Sequence, residues 1–182
     1  MQETEIRVLG ATITGFARAC LDLNIVAGSK PSEESGIRYP LLDDIDVNAW
    51  YPFERLRDIE RLVLRSYDNV GPILERVGIE MMTSWYRLGP GKHLVADGVD
   101  FLRFQSGSHG YASVVAGPEE LCGSFKLLNL DEEKRVALIH STTPFNKDLE
   151  RGVIIGGMSA PGDLDYVDVG NHPDEHYFRI EF

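Results

Sequence analysis

Apolar residues at Ile13, Phe16, Ala17, Cys20 and Leu21 recur at three- and four-residue spacing, which predicts an amphipathic helix over 10–23. Thr12 or Thr14 is placed to cap its start. The periodicity lapses over 27–48, where GSKPSEESG and LLDDID predict a long surface connection, with Asp43, Asp44 and Asp46 as a solvated acidic run. Order returns at WYPFERLRDIERLVLRSY. There Phe53, Leu56, Ile59, Leu62 and Val63 form one stripe, Pro52 suits the first helical position and Glu54 lies in the first turn. Asn69-Val70-Gly71-Pro72 breaks that helix, and Ile73, Leu74, Val77, Met81 and Trp85 carry the next one. The short turn between them predicts that the two helices pack as antiparallel neighbours. Val95, Val99 and Leu102 predict a further helix over 93–105 before the turn chemistry of SGSHG and AGPEE.

After Gly123 the period changes. Residues 124–130 and 135–141 are rich in strand formers and flank the charged DEEK turn, so they predict a β-hairpin. Thr143-Pro144 reads as a cap followed by proline at the first helical position, and Leu149, Val153 and Ile154 continue a helix expected to end at Gly156-Gly157. Gly152 and Gly156 share one face of it, which lets the helix approach the sheet closely. Two more strands follow at 164–169 and 176–182, the second alternating Phe178, Ile180 and Phe182 on one face with Tyr177, Arg179 and Glu181 on the other. Helices first, then β-β-α-β-β, predict an α+β fold with a four-stranded antiparallel sheet. A single domain over 1–182 is expected, helical to about 115 and sheet-bearing from about 116.

Charge narrows the partners. The 18 Lys and Arg against 29 Asp and Glu give a formal charge of −11, which opposes nucleic acid and anionic membranes because both demand clustered cations. No segment approaches the roughly 20 apolar residues of a membrane span, and MQETEIRVLG lacks the basic start and apolar run of a signal peptide. A cytoplasmic protein without membrane insertion is expected. Cys20 and Cys122 stand far apart with no CxxC pattern, and both are expected to be reduced, buried small hydrophobes.

WYPFE at 50–54, ILERVG at 73–78, the hairpin SFKLLNLDEEKRVALIHS, the helix KDLERGVIIGGM and the closing strand EHYFRIEF carry a resemblance across most of the chain. The chain resembles the superfamily that unites heme-based nitric oxide and oxygen sensors, 4-vinyl-reductase-type ligand-binding domains and Golgi-transport tethering subunits. The resemblance implies a pocket between the helical part and the sheet, filled by porphyrin in heme sensors and by another apolar molecule or side chains in heme-less relatives. Heme sensors also use a proximal histidine and a Tyr-x-Ser-x-Arg anchor for the propionates. His109 lies in the corresponding region, inside Ser106-Gly107-Ser108-His109-Gly110. Placed on Ser141, the anchor reads Ile139-His140-Ser141-Thr142-Thr143, which keeps the serine and lacks both the aromatic hydroxyl and the cation. Two propionates in a partly buried pocket need charge-assisted partners, so a heme-less member with no cofactor is expected.

Other constellations have plainer readings. His172-Pro173-Asp174-Glu175-His176 suggests a divalent metal but fits turn chemistry better, and no metal site is expected. His140 and Ser141 point to opposite faces of a strand, and no G-x-S-x-G elbow supports a hydrolase. GPGK and GVIIGGMSAPGD match no phosphate-loop pattern. Trp50, Phe53, Met81, Trp85, Phe101 and Phe104, with Met82 beside them, are the candidate lining of an apolar pocket, or else plain core. The sequence therefore favours a non-enzymatic sensory module binding a small apolar molecule. The alternatives are a structural module that forms a homodimer, and a heme gas sensor using His109.

Overall fold

A computed structural model describes residues 5–25, 44–65 and 67–182. Most of the connection expected over 27–48, including Asp43, lies outside the described residues. Asp44 and Asp46 lie inside and are pinned by Tyr51, whose hydroxyl accepts from the Asp46 amide at 2.8 Å and donates to the Asp44 carbonyl at 3.2 Å.

The helical part opens with a small sheet that the sequence pattern does not announce. Strand β1 (Arg7–Leu9) runs directly into α1 (Gly10–Asp22), and β2 (Trp50–Pro52) into α2 (Phe53–Leu64). Strand β1 pairs antiparallel with β2 and with the later β3 (Val115–Ala116). Two- and three-residue strands are too short to show an alternating pattern. Pro52 consequently ends a strand and precedes the helix instead of starting it. Neither Thr12 nor Thr14 caps α1, because Leu9 holds the capping position and the Thr14 hydroxyl bonds back to the Gly10 carbonyl at 3.1 Å.

Helix α3 (Gly71–Leu88) does not take α2 as its main neighbour; it lies against α7 (Lys147–Ser159) and α1. Glycines decide this. A Cβ on Gly78 would stand 2.7 Å from the Val153 amide nitrogen, and one on Gly156 would stand 2.6 Å from the Ile79 carbonyl oxygen. The small-residue face of α7 thus meets a helix and not the sheet. Gly156 and Gly157 do not end α7, which runs on to Ser159; Gly157 instead makes room for the Phe101 ring.

The helix expected over 93–105 is two pieces, α4 (Gly91–Leu94) and α5 (Gly98–Ser106). The break is stabilised by a reciprocal cap: Asp97 accepts from the Asp100 amide at 2.7 Å, and Asp100 accepts from the Ala96 amide at 3.0 Å. A short helix α6 (Glu119–Cys122) leads to the main sheet, formed by β4 (Phe125–Asp131), β5 (Val136–Ser141), β6 (Asp168–Asn171) and β7 (Tyr177–Glu181). All its pairs are antiparallel, in the order β4-β5-β7-β6. This is the expected α+β arrangement, with β6 beginning four residues later than the sequence pattern placed it. Asn146, not Thr143, caps α7, accepting from the Asp148 amide at 2.8 Å.

Two apolar clusters result. The sheet core gathers Phe101, Leu102, Ile139, Ile154, Met158, Phe178 and Ile180. The helical core gathers Val8, Ile13, Phe16, Phe53, Leu56, Leu74, Val77 and Leu149. Ile6 and Phe145 pack against both. Cys20 is buried in the helical core, whereas Cys122 is only half-buried, a correction to the expectation for that residue; both thiols are free. Among the described residues, no helix is long and apolar enough to cross a membrane.

Candidate functional site

The connection between β5 and α7 places Phe145 between the two cores. Its ring meets the edge of Phe53 at 5.2 Å and of Tyr111 at 6.1 Å. Tyr111 is itself fixed, because its buried hydroxyl donates to the Cys122 carbonyl and burial raises its pKa. A cleft of about 260 Å³ opens where α1, α2 and this connection meet. Phe16, Phe53, Leu56 and Leu149 form its apolar walls together with Pro144 and Phe145. Arg57, Glu60, Arg61 and Asn146 form its polar lining.

Most of those polar groups are engaged within the chain. Arg61 bonds to Glu54 at 2.6 Å and Asp58 at 2.9 Å. Arg57 lies over the Phe53 ring at 5.2 Å, with its guanidinium 3.8 Å from Glu54. Asn146 is occupied as the α7 cap. Glu60 is half-buried; desolvation pushes its carboxyl above the ordinary value, against the opposing pull of Arg57 and Arg61.

The six residues expected to line one pocket are divided by the fold. Phe53 lines the cleft. Trp85 stacks near Phe101 and Phe104 at centroid distances of 6.4 and 5.5 Å, as part of the sheet core. Met81 packs on the helical core, and Trp50 on β2 is 40% exposed. Glu60, Phe16, Phe145 and Leu149 were not singled out from the sequence as ligand-facing. The signal for Glu60 was present: it stands four residues after Leu56 and seven after Phe53, a stripe position where an apolar residue is expected.

At the end of β5, Ser141 and Thr143 turn inward and both hydroxyls donate to the buried Glu150 carboxylate, at 2.7 and 2.5 Å. Lys147 donates to the same carboxylate at 2.7 Å and to the Ser141 carbonyl at 3.0 Å. The cation missing from 139–143 in sequence is thus present six residues beyond Ser141, but the chain's own carboxylate holds it. His109 is exposed in a turn after α5, with Nδ1 3.2 Å from the Ser108 hydroxyl. His172 and Asp174 make turn bonds, the His172 ring accepting from the Asp174 amide at 3.1 Å and Asp174 accepting from the His176 amide at 2.9 Å. No group of three or more His, Cys, Asp or Glu among the described residues is arranged to hold a metal ion.

No protein-family model and no curated protein matches this sequence. Solved structures do. A doubly substituted Tt H-NOX is 16% identical with a TM-score of 0.65, covering 96% of this chain and 94% of its own. A mutant H-NOX from T. tengcongensis is 16% identical with a TM-score of 0.59, covering 95% and 96%. An oxygen-binding H-NOX domain related to soluble guanylate cyclases, in its oxygen complex, is 15% identical with a TM-score of 0.58, covering 94% and 91%. At this identity the likeness is one of fold: the chain has an H-NOX-like α+β fold.

Heme is the group that fold implies, and the residues as arranged do not fit it. His109 faces solvent. Ser141, Thr143 and Lys147 are satisfied by Glu150.

Proposed function

We propose that this chain is a small-molecule-binding sensor module that works without heme, and that its ligand occupies the cleft between α1, α2 and the β5–α7 connection. The observation that carries this reading is the cleft itself, apolar on the walls and polar at the lining contributed by α2. Such a site takes a compact molecule with an apolar body, whose burial gains about 25 cal/mol per Å² of apolar surface removed from water. Binding without catalysis is the simpler role, because the lining contains no hydroxyl, thiol or imidazole nucleophile. The reading treats the two cores as one domain, supported by Ile6 and Phe145 packing against both.

The test is a titration with small aromatic probes such as 2-phenylethanol, followed by methyl NMR. Leu56 and Leu149 methyls should shift while those of Leu102, in the sheet core, stay put. Shifts confined to Leu102, or none at all, overturn the assignment. A probe at one hundred times its Kd adds about 2.7 kcal/mol of stability, read as a rise in Tm of several degrees.

A second reading is favoured by the fold alone, since one neighbour is described as an oxygen-binding H-NOX domain. In it, His109 would leave its turn to ligate heme iron. Reconstitution with hemin decides between them: no Soret band is expected, whereas a band lost in His109→Ala would replace the heme-less reading.

A further inference from the structure

Glu60 is the polar group of the cleft that the chain leaves unmatched. Arg61 is held by Glu54 and Asp58, Arg57 sits over Phe53 beside Glu54, and Asn146 caps α7. Glu60 has no hydrogen-bond or ion-pair partner among the described residues, yet it lines the same cavity as Phe16, Phe53 and Leu149. A half-buried carboxylate without a donor is an incomplete site, because a charge drawn from water needs charge-assisted hydrogen bonds to offset the loss. Its sign selects the ligand. The charged lining is Arg57, Arg61 and Glu60; Glu54 and Asp58, outside the lining, hold and offset the two guanidiniums, which leaves Glu60 as the uncompensated charge in a chain of net −11. That balance favours a cation at Glu60, while the Phe16 and Phe53 rings, the latter already under Arg57, favour an aromatic body beside them.

We infer that Glu60 is the recognition residue of this cleft and that the ligand class is a small protonated amine with an aromatic or branched apolar body. The ammonium donates to the Glu60 carboxylate while the body lies against Phe16, Phe53 and Leu149. This rests on the small-molecule reading of the cleft and adds to it a charge and a donor. The amine loses affinity as pH falls and Glu60 takes up a proton, an event that burial moves upward from the ordinary value against the pull of Arg57 and Arg61. The titratable groups around Glu60 are Arg57 and Arg61 on its own helix and Cys20 on α1, with Glu54 and Asp58 beyond the arginines.

The experiment compares three near-isosteric probes by calorimetry on the full chain at neutral pH: 2-phenylethylamine, 2-phenylethanol and 3-phenylpropionate. The amine should bind at least about tenfold more tightly than the alcohol, the scale of one hydrogen bond to a charged group, and the acid most weakly. Glu60→Gln should remove the amine's advantage over the alcohol and flatten its acid-side pH dependence. The same substitution should raise the Tm of the ligand-free protein, since it removes a poorly compensated charge. Equal binding of all three probes, or an amine preference that survives Glu60→Gln, overturns the role of Glu60 while the cleft remains a ligand site. Failure of every probe to bind overturns the cleft reading as well.

Discussion

Glu150 is a carboxylate whose buried surroundings supply two hydroxyls and an ammonium. Removing it takes the acceptor from the Ser141 and Thr143 hydroxyls and the counter-charge from Lys147, which keeps the Ser141 carbonyl, so Glu150→Ala should cost about 3 kcal/mol, in the range for breaking one side of a buried ion pair. Urea denaturation of the variant measures this. Cys20 offers a second residue-scale prediction. Burial, with a smaller push from Glu60, takes its thiol up to about 12 from an ordinary value of 9.0. The folded chain therefore keeps a proton that the unfolded chain releases between those values, and this contribution to stability is full below about 9 and lost as pH rises toward 12. Between neutral pH and pH 10 the wild type should lose about 1 kcal/mol more than Cys20→Ala, by 1.36 kcal/mol per unit of differential titration. Thiol labelling of the native protein should reach the half-buried Cys122 before Cys20.

Among the elements, the packing of α1 and of α7 against α3 shows how one substitution can act in opposite directions. Gly15 sits in α1 with room for a methyl, its nearest neighbour being the Met81 methyl at 3.7 Å from the added Cβ. Gly15→Ala should stabilise by about 0.5–1 kcal/mol through helix propensity. Gly152 faces the backbone of α3 at Glu75, which cannot retreat as a side chain would. Gly152→Ala should therefore destabilise by about 1–3 kcal/mol despite the same propensity gain, and thermal melts of the pair read the contrast. Periodicity made most helices and strands legible, down to the buried Phe178, Ile180 and Phe182 face. It misassigned Gly156-Gly157 because a glycine pair that ends a helix and one that admits a neighbour look alike until the neighbour is known. Thr143 was misread as a cap for a similar reason, its hydroxyl being claimed by Glu150.

For the whole molecule, Phe145 is the joint between the helical core and the sheet core, touching Phe53 on one side and Tyr111 on the other. Phe145→Ala should cost about 3 kcal/mol, the lower end for loss of a large aromatic from packed surroundings. It should also enlarge the cleft, so that probes bulkier than 2-phenylethanol bind the variant and not the wild type, a result calorimetry reads directly.

By itself the sequence determined the long helices, the antiparallel four-stranded sheet and the acidic character of the molecule, because these follow from local periodicity, turn residues and summed charge, whereas the small β1–β2–β3 sheet is too short to leave such a pattern. Resemblance added the H-NOX-like arrangement, which the structural neighbours bear out as a fold. Only the tertiary structure decided which aromatic residues share a cavity. It divided Trp85, Phe101 and Phe104 from Phe53, and brought Phe16, Phe145 and Glu60 to the same cleft as the latter. Local pattern says that a side chain faces inward, whereas which other side chain it meets depends on helix approach distances and on contacts far apart in sequence.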